Sequence, residues 1–189
     1  MLVLGVSGSP RRGGNSETLL DEALTGAREA GAGVEKIILA NLSISPCTAC
    51  GVCDKTGECP IADDMQDIYR QLSNCNALIF ASPIYFYSVT AWAKAAIDRS
   101  QALWARKYVL QKEQEAIPRQ AAFIGVGATR GKSLFDGPKL TMKYFFDAAG
   151  FVCTSEMLLK GLDGKDAVLG FPEHLRVARE IGRSLLVPR

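Results

Sequence analysis

The alternation of short apolar runs with amphipathic helical patterns constrains the fold of this chain more than any other feature. Strand-length apolar runs are predicted at residues 2–7, 34–40, 77–82, 120–126 and 151–158. Helical patterns separate or follow them at residues 16–30, 64–73, 90–105, 137–149 and 173–185. Continuously apolar strands that alternate with helices are typical of a parallel sheet covered on both faces. We therefore predict a doubly wound, three-layer α/β domain whose ligands bind beyond the carboxyl ends of its strands.

Composition excludes several classes of function. The 189 residues carry a formal net charge of +2, which is too small a field to attract nucleic acid. No apolar run reaches membrane-spanning length, and the first residues lack the basic leader and cleavage site of a signal peptide. We therefore expect a cytoplasmic protein with neither a nucleic-acid nor a membrane partner, folded as one domain over residues 1–185. Residues 186–189 match the remnant of an engineered protease site and are excluded from the functional argument.

Four of the six cysteines lie within thirteen residues, in a loop predicted at residues 42–63. Two residues separate Cys47 from Cys50 and Cys50 from Cys53, and five separate Cys53 from Cys59. Zinc sites usually combine two separated cysteine pairs, often with histidine, and the only histidine of this chain is far from the loop. Without a secretion signal, thiols or metal ligands are favoured over disulfides. The short spacings favour an iron–sulfur cluster and thus predict electron transfer.

A polar, glycine-rich segment follows the first predicted strand at residues 7–18. Its glycines expose backbone N–H groups, and the next helix directs its positive end at them. Arg11 and Arg12 add full charges. We predict that the segment binds a dianionic phosphate monoester, with the polar side chains as donors: Ser7, Ser9, Asn15, Ser16 and Thr18. The alternative is a polar turn that leads into a helix, with Ser16 as its N-cap.

This segment matches neither of two better-known glycine motifs. Ser7 and Pro10 interrupt both possible registers of the dinucleotide-binding Gly-x-Gly-x-x-Gly pattern, and no acidic residue follows the second predicted strand. Ser9 occupies the last glycine position of the hydrolase Gly-x-Ser-x-Gly pattern. The segment therefore belongs to neither motif, and anion binding remains the favoured interpretation.

Three motifs in their order along the chain now resemble a known family. Gly-Ser-Pro-Arg at residues 8–11, with Gly-Asn-Ser at 14–16, resembles the phosphate loop of flavodoxin-like FMN reductases. Residues 81–99 resemble the second flavin loop of that family and the helix after it. With the cysteine run and the Asp-Asp-Met that follows it at residues 63–65, the resemblance is closest to the iron–sulfur flavoproteins of anaerobic microbes, over about residues 1–160. It implies a flavodoxin-like five-stranded parallel sheet of order 2-1-3-4-5.

The resemblance also implies a cofactor site in which FMN binds by its phosphate to the first loop. Its ring then lies between the loops after strands three and four. The implied phosphate-loop residues are Ser7, Ser9, Pro10, Arg11, Asn15, Ser16, Glu17 and Thr18. Those beside the ring are Pro83, Ile84, Tyr85, Phe86, Ser88, Gly127, Ala128, Thr129, Arg130 and Gly131. The glycines would let the backbone approach a flat ring, and Arg130 would add charge near its pyrimidine end.

Two alternatives concern the residues after the third strand. Residues 85–87 are also compatible with a hydrophobic strand end at a subunit interface, and both interpretations can hold together. Lys94, Asp98 and Arg99 are equally compatible with a solvated helix face.

By the same resemblance, Cys47, Cys50, Cys53 and Cys59 hold a [4Fe–4S] cluster. The implied function is that of an FMN-dependent oxidoreductase or electron-transfer flavoprotein. It would pass electrons from NAD(P)H or a ferredoxin-like donor to an acceptor, each a small molecule or a protein. No catalytic side chain is required, since the cofactor carries the chemistry. A homodimer or homotetramer is implied, with the cluster near the flavin of a neighbouring subunit. Cys75 and Cys153 are expected to be packing residues.

Two other functions remain open. The first is a cluster-free NAD(P)H-dependent FMN or quinone reductase in which the cysteines form a structural loop. The second is a nucleotide-binding module at residues 127–133, which end in Gly-Lys-Ser like a P-loop. Three residues separate the glycines there, whereas the P-loop requires four.

Overall fold

The computed structural model describes residues 1–112 and 119–186 and is built around a parallel sheet of five strands. The strands are β1 (Leu2–Ser7), β2 (Gly33–Ile38), β3 (Ala77–Pro83), β4 (Arg119–Gly127) and β5 (Phe151–Lys160). Their order in the sheet is β2-β1-β3-β4-β5, and every neighbouring pair is parallel, which confirms the predicted fold class. The predicted protease-site remnant, residues 186–189, lies outside the described residues except for Leu186.

Helices cover both faces of the sheet. They are α1 (Asn15–Glu29), α2 (Cys53–Thr56), α3 (Met65–Asn74), α4 (Ala91–Arg99), α5 (Gln101–Trp104), α6 (Asp136–Ala148) and α7 (Pro172–Ser184). Successive strand residues alternate between two hydrophobic cores: Val3 packs with α1 and α7, whereas Leu4 packs with α3, α4 and α6. None of the helices in residues 1–112 and 119–186 has the length and apolarity needed to cross a membrane.

Helices α1 and α7 pack backbone against backbone at Gly26. A Cβ atom at Gly26 would lie 1.9 Å from the carbonyl oxygen of Arg179, so no larger residue fits without separating the helices. On the opposite side of the contact, a Cβ at Gly182 would lie 1.8 Å from the carbonyl oxygen of Ala23. This close packing fixes the position of α1 on the sheet, and with it the direction in which the N-terminus of α1 points.

The helix predicted at residues 90–105 is broken at Ser100. The Ser100 hydroxyl donates to the carbonyl of Ala96 over 3.0 Å, a local bond that competes with regular helical pairing. The amide of Leu103 then donates to the carbonyl of Ser100 over 2.9 Å, as in a tighter turn. The carbonyl of Arg99 accepts instead from the Tyr69 hydroxyl over 2.5 Å. Helix α4 therefore ends at Arg99, beside the cysteine loop.

Two other boundaries differ from the prediction. Strand β2 ends at Ile38, and a 3-10 turn at Leu39–Asn41 buries Leu39 in the core as the chain turns into the cysteine loop. Helix α1 begins at Asn15, with Gly14 as its N-cap and no side-chain cap. Ser16 lies inside the first turn of α1, so the N-cap role considered for it is wrong.

Candidate functional site

The loops after β1, β3 and β4 meet at the carboxyl edge of the sheet, which is where ligands bind in this class of fold. Together with the loop after β5 they surround an open cavity of about 120 Å³. Eight of the predicted cofactor residues line it: Ser9, Arg11, Asn15, Ser16, Pro83, Ile84, Tyr85 and Ala128. Residues that are far apart in the chain are thus brought to one place by the sheet order.

The start of α1 is suited to an anion. The first N–H groups of a helix have no intrahelical acceptor, and Gly14 adds no side-chain cap that would occupy one. The Ser7 hydroxyl, at the carboxyl end of β1, is wholly buried. Among the buried side-chain oxygens and nitrogens of the described residues, it is the one without a hydrogen-bond partner. Burying a hydroxyl without a hydrogen-bond partner is costly. The carboxyl end of β1 is therefore suited to a ligand that accepts a hydrogen bond from Ser7.

Two predicted phosphate-loop side chains shape the loop itself. The Ser9 hydroxyl lies 3.1 Å from both the amide nitrogen and the carbonyl oxygen of Arg11, which closes a tight turn. The buried Glu17 carboxylate accepts from the Gly13 amide over 2.7 Å and pairs with Lys36 over 2.8 Å. Burial opposes the charge of Glu17, but the bonds from Lys36 and Gly13 outweigh it and hold the pKa below its usual value. Because an ionised carboxylate repels phosphate, Glu17 is suited to holding the loop in shape and not to contacting a phosphate.

Asn15 connects the start of α1 to the loop after β5. Its side-chain amide donates to the carbonyl of Gly164 over 2.8 Å, and its side-chain oxygen accepts from the Val168 amide over 3.0 Å. The side chain predicted to donate to a ligand therefore bonds within the chain. Leu162 and Asp163 of the connected loop line the cavity, and sequence reasoning missed them. No local pattern reveals this wall, because Asn15 and Gly164 are 149 positions apart.

The turn after β3 carries three aromatic residues. Tyr85 and Ser88 exchange backbone hydrogen bonds of 2.9 and 3.0 Å around Phe86 and Tyr87. Phe86 and Tyr87 have φ angles of +49° and +60°, a left-handed conformation that costs a non-glycine residue about 1–2 kcal/mol. The Phe86 side chain is fully exposed, and Tyr85 and Tyr87 are about half exposed. Backbone strain and exposed aromatic area beside a cavity mark a functional surface.

A hydrogen bond joins the first two loops. Thr90 caps α4 by accepting from the Ala93 amide over 3.2 Å, and its hydroxyl donates to the carbonyl of Gly8 over 2.5 Å. The Gly8 amide in turn donates to the carbonyl of Ala81 in β3 over 2.7 Å. The loop after β1 is therefore held against the start of α4.

The loop after β4 forms the remaining wall. Ala128, Thr129 and Arg130 are exposed. A Cβ at Gly131 would lie 2.1 Å from the Tyr87 hydroxyl, and one at Gly127 would lie 2.4 Å from Leu134. The lack of a side chain at Gly131 and Gly127 therefore leaves room for Tyr87 and Leu134 of the same chain.

The P-loop-like ending of this segment does not lead directly into a helix. Lys160 donates to the carbonyls of Gly131 and Lys132 over 2.7 and 3.2 Å. Helix α6 begins only at Asp136. A P-loop, by contrast, opens its helix at the lysine and serine of the motif.

The four clustered cysteines line a second open cavity, of about 420 Å³, together with Arg99. Cys47 and Cys50 are exposed, whereas Cys53 and Cys59 are partly buried. Burial raises the pKa of the Cys53 thiol, and the neighbouring Asp54 raises it further. Within residues 1–112 and 119–186, no three cysteine, histidine or acidic side chains are gathered closely enough to hold a metal ion. The thiols thus share one cavity but are not drawn to a common centre.

Arg99, considered as part of a solvated helix face, is buried beneath this cavity. Its side chain has no exposed surface and forms an ion pair of 2.7 Å with Asp63. Burial opposes ionisation of Asp63, but its bonds to Arg99 and to the amides of Ser45 and Met65 hold its pKa below the usual value. Lys94 and Asp98, by contrast, form an exposed pair of 2.7 Å, as expected for a solvated face.

Comparison with known proteins agrees with the geometry. The family model of the NADPH-dependent FMN reductases matches residues 1–135. An iron–sulfur flavoprotein of Methanocaldococcus jannaschii is 42% identical over 103 residues, which are 54% of this chain and 53% of that protein. The chain thus spans about half the length of this relative. A second iron–sulfur flavoprotein from that organism is 35% identical over 171 residues, which are 90% of this chain and 80% of that protein.

Among solved structures, an NAD(P)H:quinone oxidoreductase from Methanothermobacter marburgensis has a TM-score of 0.78 and 20% identity. The match covers 100% of this chain and 98% of that one, and it shows a shared fold. The family predicted from the motifs is confirmed: the chain belongs to the NADPH-dependent FMN reductases.

Proposed function

We propose that the chain is an FMN-dependent oxidoreductase that takes electrons from NAD(P)H or a ferredoxin-like donor. The observation that carries this proposal is the convergence of the loops after β1, β3, β4 and β5 and the N-terminus of α1 on one cavity at the carboxyl edge of the sheet. Bound FMN supplies the redox chemistry, since it accepts a hydride and releases electrons singly. The chain's own residues bind the cofactor, orient it and set the charge around it.

The phosphate end of FMN is assigned to the loop after β1. Gly14, Asn15 and Ser16 at the start of α1 line the same cavity as Arg11, and the helix N-terminus, a hydroxyl and a cation together favour a dianion there. The fit is supported by the unpaired Ser7 hydroxyl, which a phosphate oxygen or an ordered water would satisfy. Ser9, Asn15 and Glu17 hold this loop in shape through the bonds described above.

The ring is assigned to the surface between the loops after β3 and β4. A cavity of about 120 Å³ is smaller than the 300–1,000 Å³ usual for cofactor sites, so one chain alone does not enclose a whole FMN. Pro83, Ile84 and Tyr85 form one side of the opening and Ala128 the other. The exposed Phe86 beside it supports a second copy of the chain covering this surface. The functional unit is accordingly a homodimer or a larger homo-oligomer.

We also assign a [4Fe–4S] cluster to the cysteine loop. The donor set fits, because four cysteine thiolates are the usual ligands of such a cluster, and all four line a single cavity. Cys47, Cys50, Cys53 and Cys59 would hold the cluster, which would supply one-electron transfer. The iron–sulfur flavoproteins to which the chain is related support this assignment.

A cluster-free FMN or quinone reductase is the second candidate function. It is favoured by the absence, within the described residues, of any three metal-ligating side chains gathered around one point. A nucleotide-binding module is a weaker candidate, because α6 begins only at Asp136, too late for the helix of a P-loop.

The first experiment is an ultraviolet–visible spectrum, with iron and acid-labile sulfide assays, on protein purified without oxygen. Flavin bands with about four irons per chain, and a shoulder that dithionite bleaches, support the cluster-bearing function. Flavin bands without iron support the cluster-free reductase. A colourless protein that also fails to bind added FMN contradicts both.

Two comparisons refine this test. Apoprotein is expected to bind FMN at least about tenfold more tightly than riboflavin, since the phosphate contributes more than about 1.4 kcal/mol. A Cys53→Ser variant is expected to lose iron and keep FMN, whereas the control Cys153→Ser keeps both. Full activity of Cys53→Ser would favour the cluster-free reductase.

A further inference from the structure

The buried Arg99 side chain is an unusual feature of helix α4, whose other buried residues are the small apolar Ala93 and Ala96. A fully buried guanidinium is costly unless it is paired and hydrogen-bonded throughout. Arg99 meets this condition with five hydrogen bonds, and every acceptor belongs to the segment that carries the cysteines. Nothing in the FMN cavity requires a cation at this place.

The bonds of Arg99 reach both ends of the cysteine loop. Nη1 donates over 2.9 Å to the carbonyl of Ser45, a residue two positions before Cys47. Nη2 donates to the carbonyl of Ile61 over 3.2 Å, two residues after Cys59. The Asp63 carboxylate bonds both terminal nitrogens, over 2.7 and 3.2 Å, and also accepts from the Ser45 amide over 2.9 Å. One side chain therefore closes the base of the loop.

The fifth bond goes to a cysteine sulfur. Arg99 Nε lies 3.2 Å from Cys59 Sγ and donates to it. Among the described residues, the other three cysteines of the loop have no comparable cationic donor. A sulfur that ligates iron keeps lone pairs that can accept such a bond. Hydrogen bonds and positive charge at cluster sulfurs stabilise the more reduced, more negative state.

The same helix connects this contact to the FMN cavity. Thr90, at the other end of α4, caps the helix and bonds the carbonyl of Gly8 in the phosphate loop. Helix α4 spans nine residues, or about 14 Å at 1.5 Å per residue. A single rigid element therefore holds the phosphate loop at its first end and the cysteine loop at its last.

We propose that Arg99 is a positioning residue for the cysteine loop, which fixes Cys59 and raises the reduction potential of the cluster held there. This inference rests on the proposed cluster function. It assigns to Arg99 two separable effects. The bonds to Ser45, Ile61 and Asp63 preorganise the loop and slow the loss of iron. The Nε–H···S bond and the positive charge favour the reduced cluster.

The test compares four variants with the wild-type holoprotein, all purified without oxygen: Arg99→Gln, Arg99→Lys, Asp63→Asn and, as control, Lys94→Gln on the exposed face of the same helix. Three quantities are measured for each: the midpoint potential of the cluster, the rate of iron loss to a chelator, and the FMN content. The FMN content reports whether the remainder of the chain is folded.

Arg99→Gln is expected to lose iron about 10- to 100-fold faster than the wild type, as is usual when a residue supporting a metal ligand is removed. Its midpoint potential shifts to more negative values, because a positive charge and a hydrogen bond to sulfur are lost. Asp63→Asn also loses iron faster, but its potential shifts in the opposite direction, because a negative charge is removed beside an intact Arg99. Lys94→Gln changes neither quantity.

The opposite signs separate an electrostatic role from a purely structural one. If Arg99→Gln and Asp63→Asn shift the potential in the same direction, or if Arg99→Gln behaves like Lys94→Gln, the inference is overturned while the proposed function stands. If Arg99→Gln fails to fold, Arg99→Lys and Asp63→Asn provide the test, since Lys keeps the charge but not the geometry of the fork. Arg99→Lys is then expected to keep a midpoint potential close to that of the wild type but to lose iron faster. Wild-type protein without iron overturns the cluster function and this inference together.

Discussion

The cavity proposed to bind FMN and the cysteine loop lie at opposite ends of helix α4 and are held in place in different ways. Strand ends and the start of α1 build the first, so its polar groups are positioned by regular structure packed on the core. The second is a loop whose only helix is the four-residue α2, and one buried side chain, Arg99, bonds both of its ends. The fold itself therefore preorganises one site, whereas a single ion-paired cation preorganises the other.

This difference predicts how each site fails. Substitutions that disturb the cavity proposed to bind FMN are expected to reduce the stability of the whole chain, because the packing that positions the cavity also stabilises the fold. Damage to the cysteine loop is expected to leave the sheet and FMN binding intact, since Cys47 and Cys50 are exposed and contribute little to the core. The four predictions that follow test this contrast, in order of decreasing effect.

Replacing Gly26 by Val should cause the largest loss. A side chain at this position meets the carbonyl of Arg179, so α1 and α7 must separate and carry the start of α1 out of place. We expect the free energy of unfolding to fall by about 3 kcal/mol, the upper part of the range usual for overpacking, and FMN binding to fall with it. Denaturant titration and FMN titration measure the two effects. Gly170→Ala, where a Cβ meets nothing within 4 Å, is the control. Unchanged stability of Gly26→Val would contradict the close packing.

Asn15→Ala should have the next largest effect. It leaves the Val168 amide and the Gly164 carbonyl without their partner, at a cost of about 1–3 kcal/mol. The loop after β5 is then released from the cavity wall, so FMN affinity should fall more than it does in a Thr25→Ala variant, whose exposed hydroxyl bonds only within α1. Equal FMN affinity in both variants would show that the wall formed by Leu162 and Asp163 does not contribute to binding.

The Asp63–Arg99 pair should make stability depend on acidic pH. The folded-state pKa of Asp63 lies below its unfolded value, so its contribution is complete above about pH 4 and is lost as pH falls through the folded pKa. The difference in unfolding free energy between wild type and Asp63→Asn should therefore shrink as pH falls below about 4 and through the lower folded-state pKa of Asp63.

Glu17 offers the matching measurement in the loop after β1, since the pKa of its carboxyl is also held below the usual value. Glu17→Gln should lower FMN affinity, whereas Asp63→Asn should not. Denaturation curves at acidic pH test the pH dependence of stability, and FMN titrations at neutral pH compare the FMN affinities of the two variants. A constant stability difference for Asp63→Asn would contradict the ion pair.

Phe86→Asn should have the smallest effect on the free energy of unfolding, and it should raise that free energy where the other substitutions lower it. Asn tolerates the left-handed conformation that strains Phe86, and the fully exposed ring contributes no burial within the chain. The free energy of unfolding of the apoprotein monomer is expected to rise by up to about 1 kcal/mol. FMN affinity or oligomer stability should fall if the ring serves the cofactor surface. Thermal unfolding, sedimentation and FMN titration test this, and a destabilised monomer would contradict it.

Local sequence patterns were sufficient to predict a five-stranded parallel sheet, whereas the order of its strands was implied by the resemblance to a known family. Apolar runs of strand length and helical periodicity are local patterns, and the strands they predicted match β1 to β5 in type and sequence order. The loop after β1 and the aromatic turn were recognisable because each is a continuous segment of sequence, although the strained backbone of Phe86 and Tyr87 was not predicted. The cysteine spacing likewise identified the thiols that line one cavity.

Tertiary structure alone decided which polar side chains are available for a ligand and which are used by the fold. Arg99 and Lys94 stand on one short helix and look alike in sequence, yet one is buried against Asp63 and the other exposed. Asn15 bonds a loop 149 positions away. Such contacts depend on how strands and helices are placed in three dimensions, and no local periodicity encodes the burial of a charge or the partner that compensates for it.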